Sequence, residues 1–538
     1  MPLSNLFYQR KKAFINGKIY TANKAQPFAE AVITWMNKIV FVGNNYDANN
    51  LIDEYTEVFD LNGKLMLPGF IDNHTHFIIG GFNLLGLDLR NTKSTGEFIA
   101  ALKYYSALNN GKWITGGNWD HESWESNQLP TKYMIDEFTQ NTPVFIERLD
   151  KHMGLANSLA LKIAGITKDT PNPDGGLIEK HPVTGEPTGI IKDNAMPLIY
   201  SKIPPPSEDE MYNSGLNALA EARRNGITSI QDITYKDDLV IYQKLDKNDK
   251  LTCRIYTRLP IASFNDLIQT GVLFNFGSEK IKIGSLKAFS DGSLGSSTAW
   301  FFEPYLNDNN NFGLPNDIVT NGLLEKWAIN ADNNKLQLCI HAIGDKANSF
   351  IIDLFENIVK INPVWDRRFR IEHAQHIKQD DISRLARLNV VISAQPYHLI
   401  DDGSWADMKI GANRIKEAYS FKSFIDAGIK LCFGSDWTVA PLNAILGIYA
   451  AVTRRTLDGK NNGGWIPEQK ITVEDAIKCY TINNAYAAFE ENSKGSIEPG
   501  KLADLVVLNQ DILLIKPEEI KDVKVVMTVF DGEIVYQL

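Results

Sequence analysis

Cysteine is scarce: Cys253, Cys339, Cys432 and Cys479 are all that 538 residues contain. None falls in a CxxC pair, which excludes a zinc ribbon or a thioredoxin-type motif. They read as small buried apolar residues. No apolar run reaches the roughly 18 residues of a membrane span. The opening stretch, MPLSNLFYQRKKAFINGKIY, has no apolar core before a small-residue cleavage site. Basic excess is lacking too: 55 Lys and Arg stand against 65 Asp and Glu, a net charge of −10. Without a basic stripe, nucleic acid is not expected as a main partner. The helical metal motif HExxH is absent, and no short repeat or low-complexity tract stands out. These absences point to a soluble, cytoplasmic protein, with no membrane partner expected. Whether it pairs into a homodimer is open.

The composition that remains is ordinary for a globular chain, 44% hydrophobic with 22% charged. That excludes disorder over most of the length. Both ends read as short strands and turns. Asn16-Gly17 in AFINGKIY is a hairpin signal, Asn37-Lys38 separates two apolar runs, and Asp531-Gly532 marks a turn near the carboxyl end. A small β-sandwich built from residues 1–64 and 490–538 is the expectation.

The middle alternates strands and helices. Candidate strands are 65–72, 226–233, 253–261, 280–289, 336–344, 368–375, 390–398 and 429–436. Helical stretches such as LLEKWAINADNN and ISRLARLN fall between them. Eight βα units in one run predict an α/β fold, a closed (β/α)8 TIM-type barrel over 65–77 and 221–489. The long interval 78–220 exceeds any usual βα connection. It is expected to form an inserted subdomain that caps the barrel mouth.

Polar residues fall at the carboxyl ends of these strands, where barrels build active sites. His74 and His76 follow strand one, Lys287 strand four, His341 strand five, His373 strand six and Asp436 strand eight. On an extended chain, residues i and i+2 face the same side. His74 and His76 can therefore present two imidazoles to one metal. Cys339 shares a face with His341, and Cys432 and Gly434 share one with Asp436. Imidazole and carboxylate ligands suit Zn²⁺ and similar ions.

The chain here resembles the amidohydrolase superfamily. LPGFIDNHTHF (67–77), KAFSDGSLGSSTA (287–299), HAIGD (341–345), RIEHAQ (370–375), QPYH (395–398), FGSDWTVAP (433–441) and the tail GSIEPGKLADLVVLN (495–509) carry the resemblance in order. Together they look like the amidohydrolase-3 branch, the YtcJ-like and N-substituted formamide deformylase-like group of metal-dependent hydrolases.

The resemblance implies one or two divalent ions per chain, zinc first among them. His74 and His76 would hold one with Asp436, and His341 and His373 the second. Lys287 would bridge both as a carbamate formed with CO₂, which requires the neutral amine that burial favours. The alternative for Lys287 is an ordinary lysine paired with Asp291 or with a substrate carboxylate. Asp436 would carry a proton from water to the leaving group. His398 lies where the family places a substrate-facing group, and Asp150 and His152 match its RxDxH pattern. Trp119 and Asp120 could line the pocket. His376 is expected at the surface, and His121 and His181 are given no role.

The implied function is hydrolysis of a non-peptide C–N bond, of amide or N-substituted formamide type, by metal-activated hydroxide. Alternatives are an ester, lactone or cyclic-amide hydrolase on the same site, a non-hydrolytic reaction such as isomerisation or decarboxylation, and a non-catalytic metal-binding regulator.

Overall fold

In the computed structural model, the described residues are 11–121, 124–126, 128–148, 153–173, 176–193, 195–306, 308–456 and 461–538. They fall into two compact units, one drawn from the described residues up to 77 together with those from 218 on, the other from those in 78–217.

The first unit contains a barrel of eight parallel strands. They are β1 (Phe70–Thr75), β2 (Ile227–Ile233), β3 (Arg254–Pro260), β4 (Ile281–Phe289), β5 (Leu338–Ala342), β6 (Arg370–His373), β7 (Val391–Ala394) and β8 (Lys430–Phe433). Each pairs with its sequence neighbour. The seam between β8 and β1 closes at its carboxyl end, where Thr75 forms a parallel bridge with Trp437. The His76 amide donates to Trp437 O, and the Asp436 amide to His74 O, both at 2.7 Å.

Alternation sorts these strands into two faces. Ile230, Ile255, Leu338, Ile340, Ile371 and Ile392 are buried on the parity opposite to a set of polar residues. That polar set meets across the barrel. Arg370 of β6 donates to Gln231 Oε1 of β2, and Arg258 of β3 pairs with Glu372 of β6 at 2.7 Å. Strands that are not neighbours can touch this way only through the interior. The barrel core is therefore ionic and hydrogen-bonded where such barrels are mostly filled by branched aliphatics. The connecting helix Asp345–Ile361 shows the other half of the pattern. Its buried Ala347, Ile351, Ile352, Leu354, Phe355 and Ile358 recur at helical spacing and form one apolar stripe.

Both chain ends build two facing sheets. One orders Lys38–Gly43, Ala31–Trp35, Lys12–Ile15 and Glu57–Asp60; the other orders Glu533–Gln537, Val525–Phe530, Leu505–Leu508, Leu65–Pro68, Lys18–Tyr20 and Phe28–Ala29. Phe14, Val32 and Ile39 from the first pack with Ile19, Met66, Leu505, Val507 and Val529 from the second.

Two expectations are corrected here. The first apolar strand is two strands. Leu65–Pro68 pairs with Leu505–Leu508 and Lys18–Tyr20 in the terminal sheet, and β1 begins only at Phe70. Asn16-Gly17 turns the chain, with Asn16 at φ 55°, but makes no hairpin. Lys12–Ile15 and Lys18–Tyr20 enter different sheets. Asp531 and Gly532, at φ 55° and 81°, do close a hairpin between Val525–Phe530 and Glu533–Gln537. Two consecutive positive φ values match the twist of the flanking strands.

The second unit holds a mixed six-stranded sheet, ordered Gly176–Lys180, Pro187–Asp193, Met153–Ala156, Phe145–Arg148, Gly116–Trp119 and Leu87–Asp88. Leu89, Phe98, Leu102, Trp119, Trp124 and Ile146 are among the residues that pack one of its cores. Among the described residues, no helix is long and apolar enough to cross a membrane.

Candidate metal centre

Five imidazoles and a carboxylate meet at the carboxyl end of the barrel. His74, His76, His341, His373, His398 and Asp436 line one cavity of about 440 Å³. The ligand-capable atoms of His74, His373 and Asp436 lie within 4.8 Å of one another. His74 Nε2 and His76 Nε2 each stand 3.4 Å from Asp436 Oδ1. The His341 and His373 rings are 4.4 Å apart between centroids.

Strand geometry alone does not deliver two of these groups. His373 ends β6 at φ 71°, and Asp436, three residues past β8, has φ 57°. A left-handed backbone is costly for side chains with a Cβ and persists where surroundings over-determine it. Asp72 supplies part of that constraint. Its carboxylate accepts from the amides of His74 (3.0 Å) and Ser435 (2.9 Å), tying β1 to the loop after β8. Gly434 permits the approach. A Cβ there would stand 2.5 Å from Asn73 Oδ1 and 2.6 Å from the His74 amide. Asp232 at the end of β2 holds the chain beyond His76, accepting from Thr75 Oγ1 (3.0 Å) and the Phe77 amide (2.7 Å).

Hydrogen-bond partners assign the imidazole protons. His74 Nδ1 lies 2.5 Å from Glu372 Oε2, a carboxylate that only accepts. The proton is therefore on Nδ1, and the Nε2 lone pair faces Asp436. Burial, with Lys287 nearby, pulls the His74 pKa down to about 3. His373 is likewise held well below its ordinary value, by burial and then by His341 and His74. Burial works against ionising Asp436, but His74 and His76 outweigh it and keep its carboxyl well below the usual range. His341 Nε2 donates to Gly292 O at 3.1 Å. Its Nδ1 is buried without a partner. His74 Nε2, its ring proton committed to Glu372 through Nδ1, and Asp436 Oδ1 compete for a single proton. A cation can take that place, and the donor set suits a divalent ion.

Lys287 lies beneath the cavity, 2% exposed, and its Nζ has no hydrogen-bond partner. Burial lowers its pKa to about 8. The expected alternative, a pair with Asp291, is not formed. The Asp291 carboxylate accepts instead from the amides of Trp300 (2.8 Å), Ile343 (3.0 Å) and Gly344 (2.9 Å). A buried amine without a hydrogen-bond or ion-pair partner, its Nζ 4.8 Å from the centre of the Phe289 ring, fits the carbamate chemistry.

Glu372 was not singled out from the sequence, although it directly precedes His373. Fully buried, it accepts from His74, from Arg258 (2.7 Å), Arg370 (3.0 Å) and Ser393 Oγ (2.8 Å), and from the Cys339 thiol (2.7 Å). Its parity with Arg370 on β6 was the available signal. A glutamate and an arginine two apart on a buried strand need each other or a partner across the barrel.

Other expectations fare differently. His398 lines the cavity, buried, with its Nε2 unpartnered. Trp119 is corrected. It is fully buried in a core of the second unit, its Nε1 donating to Ile146 O at 3.0 Å, so no face is left for a ligand. Asp120 accepts from Arg148 at 3.0 Å. Asp150 and His152 lie outside the described residues. His376 is also corrected, being 2% exposed. The chain turns inward after β6, seating its ring edge-on to Phe301 at 5.2 Å. All four cysteines are buried and free.

A parallel eight-stranded barrel with histidines and an aspartate at its carboxyl mouth defines a metal-site barrel of the amidohydrolase type. Residues 57–536 match the Amidohydro_3 model, described as amidohydrolase family, and the chain belongs to that family. It is 38% identical to Protein LONG AFTER FAR-RED 3 of Arabidopsis thaliana, over 92% of this chain and 86% of that one. Identity to the putative amidohydrolase YtcJ of Bacillus subtilis is 32%, covering 90% and 91%. Identity to the N-substituted formamide deformylase of Arthrobacter pascens is 26%, covering 98% of each. Among solved structures, an uncharacterized metal-dependent hydrolase from Pyrococcus horikoshii superposes with a TM-score of 0.79 at 28% identity, covering 94% of this chain and 99% of that one.

Proposed function

We propose that the protein hydrolyses a non-peptide C–N bond, of amide or N-substituted formamide type, in a small molecule. The observation that carries this reading is the pair His74 Nε2 and Asp436 Oδ1, two acceptors 3.4 Å apart at the floor of a cavity. His74, His76, His341, His373 and Asp436 would hold the ion or ions, zinc fitting the donor set, with Lys287 contributing as a carbamate. When bound, a divalent ion lowers the pKa of a coordinated water toward neutrality and polarises a carbonyl.

The chain's own groups do the rest. Glu372 fixes the His74 ring and tautomer, as outer partners of metal-binding histidines generally do. Asp436, held ionised, accepts a proton from the attacking water and passes it to the departing nitrogen. The water oxygen ends on the carbonyl carbon, and the C–N electron pair leaves with nitrogen. One acid and one amine result. The choice of a C–N bond draws on the family and on the deformylase relative.

The test is hydrolysis of an N-substituted formamide panel in ¹⁸O-labelled water by protein reconstituted with zinc or manganese and bicarbonate. Formate carrying one ¹⁸O is expected. Asp436→Asn should keep metal yet lose roughly 10²- to 10⁴-fold in turnover. No metal retained after reconstitution, or hydrolysis of esters and lactones with no amide cleaved, would overturn the proposal.

A further inference from the structure

The cavity carries a second set of polar groups besides the proposed metal ligands. The short helix His398–Asp402 follows β7 and lines the cavity with His398, Asp401 and Asp402. No lysine or arginine is among the described residues that line it. Asp402 is committed, accepting from Tyr419 Oη at 2.6 Å. That bond anchors the helix. The Asp401 carboxylate is exposed and takes part in no ion pair or hydrogen bond among the described residues. Partial burial nevertheless raises its pKa, with His398 the one group opposing.

A lysine close enough to act on Asp402 is already engaged. Lys409 Nζ lies 5.5 Å from the centre of the Trp405 ring and bonds to Gly295 O and Ser297 Oγ. Asp401 and Asp402 join no further metal-type cluster among the described residues. An independent sign of a missing ligand is His398, 8% exposed, with its Nε2 unpartnered. Phe289, Trp405, Leu294 and Val439 give the same cavity apolar walls. A space of about 440 Å³ is in the range of small-ligand sites.

We propose that Asp401 is the counter-ion subsite of this cavity and that the substrate class is a small carbonyl compound carrying a protonated nitrogen on an apolar or aromatic body. This rests on the hydrolase reading for the reacting end. With no lysine or arginine among the described lining residues, the Asp401 carboxylate favours an ammonium or amidinium beside it. The aromatic walls suit such a group as well. Asp402 and Tyr419 position the helix that presents Asp401.

Two measurements separate the subsite from the chemistry. The first is calorimetric binding of benzylammonium and benzyl alcohol to the full-length protein. Benzylammonium should bind at least tenfold tighter than benzyl alcohol. Asp401→Asn, checked for folding by circular dichroism, should collapse the ammonium-to-alcohol ratio to within twofold. Benzyl alcohol binding as well as benzylammonium, or an unchanged ratio in the variant, would overturn the subsite. The second is kcat/KM for paired formamides, one bearing a distal amine and one a methyl group in its place. Preference for the amine, lost in Asp401→Asn, supports the proposal. Formamide hydrolysis without that preference removes the subsite and leaves the hydrolase. An ammonium preference in binding with no formamide cleaved keeps the subsite and removes the hydrolase.

Discussion

Glu372 Oε2 lies 2.5 Å from His74 Nδ1, and the same carboxylate is clamped by Arg258 at 2.7 Å and Arg370 at 3.0 Å. One buried glutamate therefore links the charge balance of the barrel core to the orientation of the candidate metal ligand above it. Glu372→Gln should leave the two arginines under-compensated. Removing one partner of a buried ion pair costs about 3–5 kcal/mol. A lowered thermal midpoint together with reduced zinc content by plasma mass spectrometry is the expected result. Unchanged metal content would show that the bond to His74 serves the fold alone.

Lys287 gives a prediction independent of substrate. With its pKa near 8, an appreciable fraction of the amine is neutral at pH 7–8 and can add CO₂, releasing a proton. Protein labelled with ¹³C-bicarbonate should show a carbamate signal by NMR, and Lys287→Ala should lack it. Metal content should fall when the protein is prepared without CO₂ and recover with bicarbonate. No carbamate signal in metal-replete protein would return Lys287 to an ordinary buried amine.

His376 is buried with both ring nitrogens unpartnered, and burial, then Arg414, lowers its pKa to about 3. The unfolded chain takes up its proton near the usual 6.5, the folded chain only near 3. Stability from this group is whole above pH 6.5 and is lost as pH falls from there toward 3. One proton corresponds to about 1.4 kcal/mol per pH unit within that window. His376→Leu should flatten the dependence of stability on pH between 6 and 4 by that amount, read from denaturant unfolding at several pH values. An unaltered slope would mean that His376 titrates normally in the folded protein.

Trp119 belongs to a core. Trp119→Ala should cost about 3–5 kcal/mol by the usual cavity penalty, seen as a lowered unfolding midpoint. Trp119→Phe should fold and leave KM within about twofold for any substrate found, since no ring face is open to a ligand. A large KM change in a stable Trp119→Phe protein would return the residue to the pocket.

Much of the barrel was readable because its signals are local. Period-two alternation and short apolar runs marked the eight strands, and polar residues at their ends marked His74, His341, His373 and Asp436. The first strand reads as one in the sequence because LMLPGFI is apolar throughout. Periodicity does not reveal that Pro68-Gly69 divides two sheets, since Leu65–Pro68 finds its partner at Leu505–Leu508, over 400 residues away. Trp119 and His376 were misplaced for a related reason. Residue type does not report burial, and both sit where packing, not pattern, decides.

By itself the sequence determined the alternation that makes a barrel and the order in which imidazoles and carboxylates arrive at its mouth. Both are properties of a strand and its spacing. Tertiary structure decided which groups meet. Asp436 reaches His74 only through a left-handed turn that Asp72 and Gly434 permit. Glu372 reaches His74 and Arg258 only across a closed barrel, and Lys287 is left without a carboxylate partner at Asp291, which is taken by backbone amides. These contacts join strands far apart in the chain, and their energies depend on burial that exists only after the barrel has closed.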